Sequence, residues 1–194
     1  GDVAERGVLR TKCVLKITPV GLYSLFRKSF DDECTLHVKI AEGASHIIGI
    51  REAFDDDVTF SDQGGTTLRC HVAELDYVDG ALLKDYLTGE RPARAATIGQ
   101  IAIDLLRLRS ELEQKELNHN DLHAENLIVE QLRSDSRRGD SALDDSIRVK
   151  AIDLGSVADA SKSNTQKERY GDLSWIARHI EALLDRLLAN PEAI

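Results

Sequence analysis

The sequence predicts an α+β protein in which strands dominate the first part of the chain and helices the second. Two observations carry this. Apolar runs of strand character, Val8 to Ile17, Ile47 to Phe54 and Thr66 to Tyr77, are divided by proline, glycine and acidic turns. Beyond Val78-Asp79-Gly80 the apolar residues recur at helical spacing instead, as in Ile98, Ile101, Leu105, Leu108 and Leu112. A length of 194 residues suits one domain, or two small lobes sharing a cleft.

In chain order, Val8, Leu9, Val14, Leu15 and Ile17 predict a strand, with a hairpin around Arg10-Thr11-Lys12 and an end at Pro19 and Gly21. Leu22, Leu25, Phe26, Phe30, Leu36 and Ile40 predict a helix, or a broken one, to Ala41. The strands over 47–54 and 66–77 form an antiparallel pair, joined through turns at Asp55-Asp56-Asp57 and Ser61-Asp62-Gln63-Gly64-Gly65. A short helix over 81–87 and a long one over 93–117 follow, then short strands over 127–129 and 147–152 around a polar loop beginning at Arg133. The last helix is expected from Leu173 to Leu188, after a capping-type Asp172.

Composition narrows the function classes. With 25 basic against 34 acidic residues the net charge is -9, which opposes nucleic acid or an anionic membrane as the main partner. Cys13, Cys34 and Cys70 are widely spaced and suggest small core residues rather than a disulfide framework or zinc site, so a reducing, cytoplasmic setting is expected. No apolar run reaches the roughly 18 residues a membrane span needs, and the amino end lacks a signal-peptide pattern. The chain starts at Gly1 and holds no methionine, as expected of an excised or tagged piece or of a sequence from which residues are missing.

The residues that carry chemistry lie in His119-Asn120-Asp121-Leu122-His123-Ala124-Glu125-Asn126 and in Ile152-Asp153-Leu154-Gly155. An acid, an amide five positions later and a second acid before a glycine suit the holding of a metal–nucleotide phosphate beside an acceptor hydroxyl. His119, Asp121 and His123 also read as His-x-Asp-x-His, three metal ligands on one side of a strand as in a hydrolase, but that leaves Asn126 and Asp153 without a purpose.

These segments resemble the catalytic loop and the D-F-G motif of protein kinases, with Asn120 for the arginine and Leu154 for the phenylalanine. Cys13-Val14-Leu15-Lys16 resembles the family's V-A-I-K strand, and Glu33 the helix glutamate paired with that lysine, Asp32 being its rival. Glu74 to Gly80 resembles the hinge, with Asp76 and Val78 as adenine contacts and Leu75 guarding the back pocket. Gly1 and Val3 resemble the end of the glycine-rich phosphate loop, Ser45 to Ile50 the segment entering the fourth strand, and Asp172 the aspartate that braces the catalytic loop.

The resemblance implies one two-lobed kinase-like domain over 1–194. A small antiparallel β-rich lobe with one helix would reach to about 77, a hinge lie at about 75–80, and a mostly helical lobe abbreviated at its carboxyl end occupy about 81–194. It implies ATP and Mg2+ as cofactors, Asp121 and Lys16 as catalytic residues, Lys16 and Glu33 at the nucleotide, and Asn126 and Asp153 on the metal. The implied reaction moves the γ-phosphoryl group to a hydroxyl, foremost of a protein serine or threonine. His123, where many such kinases have a lysine, and the 18 residues separating Asp153 from Asp172 also fit a small-molecule kinase resembling aminoglycoside or choline phosphotransferases. A nucleotide-binding pseudokinase acting as an interaction module is the third alternative.

Overall fold

The computed structural model describes residues 12–23, 29–61, 64–91, 94–132, 146–160 and 166–189, with side chains omitted over 166–170. Gly1, Val3, the start of the first expected strand and the loop from Arg133 lie outside the described residues.

The chain folds as α+β with small antiparallel sheets. Strand β1 (Cys13–Pro19) stops at its proline and runs into the single turn α1 (Val20–Tyr23). Helix α2 (Phe30–Ala41) starts where the Ser29 hydroxyl accepts the Asp32 N–H, and Asp31, Asp32 and Glu33 set negative charge at the positive end of the helix dipole. Strands β2 (Ile50–Phe60) and β3 (Thr66–Asp76) form a long hairpin, and β3 is the centre of a sheet ordered β1-β3-β2. The expected turn at Asp55-Asp56-Asp57 is strand instead. Asp55 lies opposite His71 and Asp57 opposite Arg69, at 2.6 and 3.6 Å, so these two acids have cross-strand partners on an exposed edge strand.

Past the irregular residues 77–79, β4 (Gly80–Leu82) replaces the first turn expected for a helix, and α3 covers Leu83–Thr88. Helix α4 (Ala95–Gln114) buries Ile98, Ile101, Leu105, Leu108 and Leu112 completely or nearly so, each worth roughly 1.5–3 kcal/mol relative to exposure. It ends before Leu117, which enters the two-residue strand β5 (Leu117–Asn118). Strand β6 (Leu127–Gln131) is central to a sheet with β4 and β7 (Ile147–Ala151), and β8 (Ala158–Asp159) pairs with β5.

Helix α5 runs Gln166–Ala189, so Asp172 stands inside it rather than capping it. Its first turns, Gln166 to Gly171, carry no apolar periodicity, which hid the true start. Of the cysteines, Cys70 is a core residue as expected, Cys34 is half-buried and Cys13 is exposed. No described helix is long and apolar enough to cross a membrane.

Two buried clusters organise the packing. The larger joins α4, β6, β7 and α5 through residues such as Leu105, Leu127, Val149 and Ile176; the smaller gathers Phe30, Ile48, Ala73, Leu75 and Val78 under the first sheet. Between them the segment after α2 hydrogen-bonds to the end of β7, Ile48 N to Ala151 O at 3.0 Å and Ala151 N to His46 O at 2.9 Å. The backbone just before Asp153 is thereby tied to the helix that carries Glu33.

A Cβ at Gly80 would meet the carbonyl oxygen of Val129 in the neighbouring strand, whereas one at Gly99 on α4 meets nothing. Gly80→Ala should therefore lower unfolding stability by about 1–3 kcal/mol, and Gly99→Ala should raise it by up to about 1 kcal/mol, both read from urea midpoints.

Candidate active site

The lysine on β1 is the hub. Alternation along the strand turns Lys16 toward α2 and Ile17 away from it, and Lys16 Nζ lies 2.9 Å from Glu33 Oε1 and 3.1 Å from Asp153 Oδ1. Burial by itself would lower the ammonium's pKa, but the Glu33 hydrogen bond and the Asp153 charge more than offset it, and Lys16 ends above its ordinary value. Burial likewise pushes Asp153 up, while the Lys16 charge and the Gly155 N–H at 3.2 Å pull it further down, to a net position below the usual carboxylate range. Glu33 rather than Asp32 holds the lysine; Asp32 accepts from the Ser29 hydroxyl at 2.7 Å.

The second half of the site is the loop from His119 to Asn126. Asp172, buried inside α5, accepts the N–H of His119 at 2.6 Å and of Asn120 at 2.8 Å. Asn120 sits at φ +67°, a left-handed conformation that asparagine tolerates. That turn sends its Nδ2 to the Ser156 carbonyl at 3.0 Å, fastening the loop to the segment that follows Asp153. Ala160 N, 2.8 Å from Glu116 O, and the β5–β8 pair fasten the same segment a second time.

Asn126 closes the loop over a 3-10 turn (Ala124–Asn126), its Nδ2 donating to Asp121 O at 3.0 Å and to Asp121 Oδ2 at 3.3 Å. The donating edge of the amide is thus occupied by Asp121, which leaves Oδ1 as a hard oxygen donor beside that carboxylate. Asp172, Asp153 and Asp121 each favour the charged form of the buried His119 imidazole. Burial holds His119 below its usual pKa against the pull of those acids, and neither ring nitrogen has a hydrogen bond among the described residues.

His123 lies two residues beyond Asp121. Its Nδ1 accepts the Glu125 N–H at 3.3 Å, which turns Nε2 toward Asp121 Oδ2 at 3.7 Å. The His-x-Asp-x-His metal reading is not supported. Residues 119–123 are not strand, so their side chains do not alternate, and among the described residues no three His, Cys, Asp or Glu side chains are grouped to hold a metal. Mg2+, which keeps several waters and needs only one or two protein oxygens, fits the pair Asn126 and Asp153 by donor chemistry.

At the hinge-like segment, Leu75 and Val78 are buried in the smaller cluster and Leu75 walls the space beside Lys16 and Glu33. Arg51 Nε donates to the Asp76 carboxylate at 2.7 Å, and the Asp76 N–H donates to the Gly49 carbonyl at 3.0 Å. Cys34 lines the same space, its thiol pushed up to about 11 by burial and by Glu33 and Asp31, so it is protonated at neutral pH and no nucleophile.

No family model matches this chain, and neither does any curated protein.

The sequence also passed over a polar group behind the site. Asp104, 1% exposed on the apolar stripe of α4, accepts from Gln100, Arg107 and the Val149 N–H. An acid between Ile101 and Leu105 in an otherwise apolar stripe was the available signal.

Asp172→Ala should cost about 3 kcal/mol in urea unfolding, since two hydrogen bonds to a buried charge are lost, whereas Leu184→Ala, on the exposed side of α5, should cost far less. His37, His119 and His179 all lie below their usual pKa through burial. The unfolded chain therefore binds more protons below about pH 6.5, so thermal stability should fall as pH drops from about 7.5 to 5.5. Replacing His179 with Asn should flatten that slope.

Proposed function

We propose that this chain is a two-lobed, kinase-like phosphotransferase that moves the γ-phosphoryl group of Mg-ATP to a hydroxyl, with a protein serine or threonine as acceptor. The observation that carries the reading is Lys16 held between Glu33 and Asp153, opposite a loop whose backbone is clamped by Asp172. One ammonium shared by two acids from distant parts of the chain also occurs as a structural ion pair. Here, however, half of Asp153 and more than a third of Lys16 remain exposed, so the charges face solvent where a ligand arrives.

In this reading Mg-ATP supplies the activated phosphoryl group and the divalent charge that offsets its oxygens. Lys16 holds the α- and β-phosphates, and Glu33 keeps its ammonium from swinging away. Asp153 and Asn126 hold the metal. Asp121, oriented by the Asn126 amide, accepts a hydrogen bond from the incoming hydroxyl and takes its proton as transfer proceeds. The buried wall of Leu75 and Val78 would meet the adenine; with the Asp76 N–H bonded to Gly49, the Asp76 carbonyl and the Val78 backbone would supply its hydrogen bonds.

Asn120 supports a form of control different from that of kinases with arginine here. Its amide already anchors the segment after Asp153 through Ser156 O, so no phosphorylated residue is needed to order that contact. A second reading, transfer to a small-molecule hydroxyl, is favoured by the shortness of this segment, 18 residues between Asp153 and Asp172, which leaves little chain for a peptide platform.

Labelled ATP with magnesium, offered with protein and small-hydroxyl acceptors, tests the proposal. Asp121→Asn should reduce transfer at least about 100-fold while leaving nucleotide binding intact. Asp153→Ala should abolish magnesium-dependent transfer. Label found only on small molecules would select the second reading; a folded chain that binds ATP without turnover would be a binding module; and a folded chain that binds no nucleotide would sink the proposal.

A further inference from the structure

A separate cavity of about 640 Å³ opens away from the Lys16 centre, between the start of α4, the start of β7 and the segment after α2. Its charged lining is Arg94, Arg107, Arg148 and Asp104, three cations against one acid in a chain whose net charge is -9. Asp104 is already satisfied. Gln100 Nε2 reaches it at 2.8 Å, Arg107 Nη1 and Val149 N at 3.1 Å each, and His46 Nε2 stands 3.6 Å away.

Arg94 and Arg148, by contrast, have no acidic partner among the described residues. Glu130, directly across the β6–β7 ladder from Arg148, lies 3.7 Å from Lys150 instead. The hydroxyl residues Thr97 and Ser146 line the same cavity. Thr97 belongs to the first turn of α4, which has no side-chain cap and no acid to meet its free N–H groups.

We propose that this cavity is a binding site for a small phosphate-bearing molecule. Two guanidinium forks with no acidic partner among the described residues, hydroxyls lining the same cavity and the first-turn amides of α4 are the donors that a phosphate's oxygens require, and the buried Asp104, with its own donors in place, fixes the floor. The volume lies within the range of small-molecule sites and is larger than one phosphate needs, so the ligand carries a further organic part. The site stands independently of the reading given to Lys16, Asp121 and Asp153.

Titration of the 15N-labelled chain with inorganic phosphate at constant ionic strength, without ATP or magnesium, tests this. Saturable shifts are expected at the amides of Ala96, Thr97 and Arg148. The double variant R94Q/R148Q should weaken that response at least tenfold while its remaining spectrum stays native; R94Q alone should weaken it less and serves if the double variant does not fold. Absence of saturable shifts at those amides, shifts confined to the surroundings of Lys16 and Asp121, or an undiminished response in the variants would overturn the proposal.

Discussion

A single ammonium, Lys16 Nζ, ties together parts of the chain that share no backbone neighbourhood. Glu33 comes from the first turn of α2, and Asp153 follows β7, 137 residues beyond the lysine. Each of the three is costly to desolvate alone, and together they neutralise only part of one another. The geometry persists because the elements beneath are fixed otherwise. Ile48 and His46 hold the end of β7 against the segment after α2, and His37 Nε2 donates to the Ile48 carbonyl at 2.8 Å. The charges are placed by apolar packing and backbone hydrogen bonds, not the reverse.

Such a division of labour explains which parts of the molecule were readable in the sequence. Lys16, Asp121, Asn126 and Asp153 stood out because each is a polar residue in a short, ordered pattern, and the structure brings Lys16 to Asp153 and Asp121 to Asn126. Long periodic elements were equally legible: α4 matches its stripe from Ile98 to Leu112. The two-residue strands β5 and β8 were not, since two residues carry no period, and their pairing is a tertiary contact between Leu117-Asn118 and Ala158-Asp159.

Other departures share a physical cause. Asp55 to Asp57 read as a turn because acids are poor strand formers, yet an exposed edge strand with His71 and Arg69 opposite accommodates them. Asp172 read as a cap because acids favour helix starts, but α5 begins at Gln166; the loop-bracing place that the resemblance gave Asp172 agrees with its bonds to the His119 and Asn120 amides. Asn120 looked like a missing arginine; its left-handed backbone and its bond to Ser156 give it a different task.

The bond from Asp172 has a consequence for synthesis. The amides of His119 and Asn120 leave the ribosome more than 50 residues before the carboxylate that receives them. Until α5 emerges and docks, those two N–H groups lack their acceptor and the loop bearing Asp121 lacks its brace. The bracing of the 119–126 loop therefore waits on the docking of α5, the last described helix.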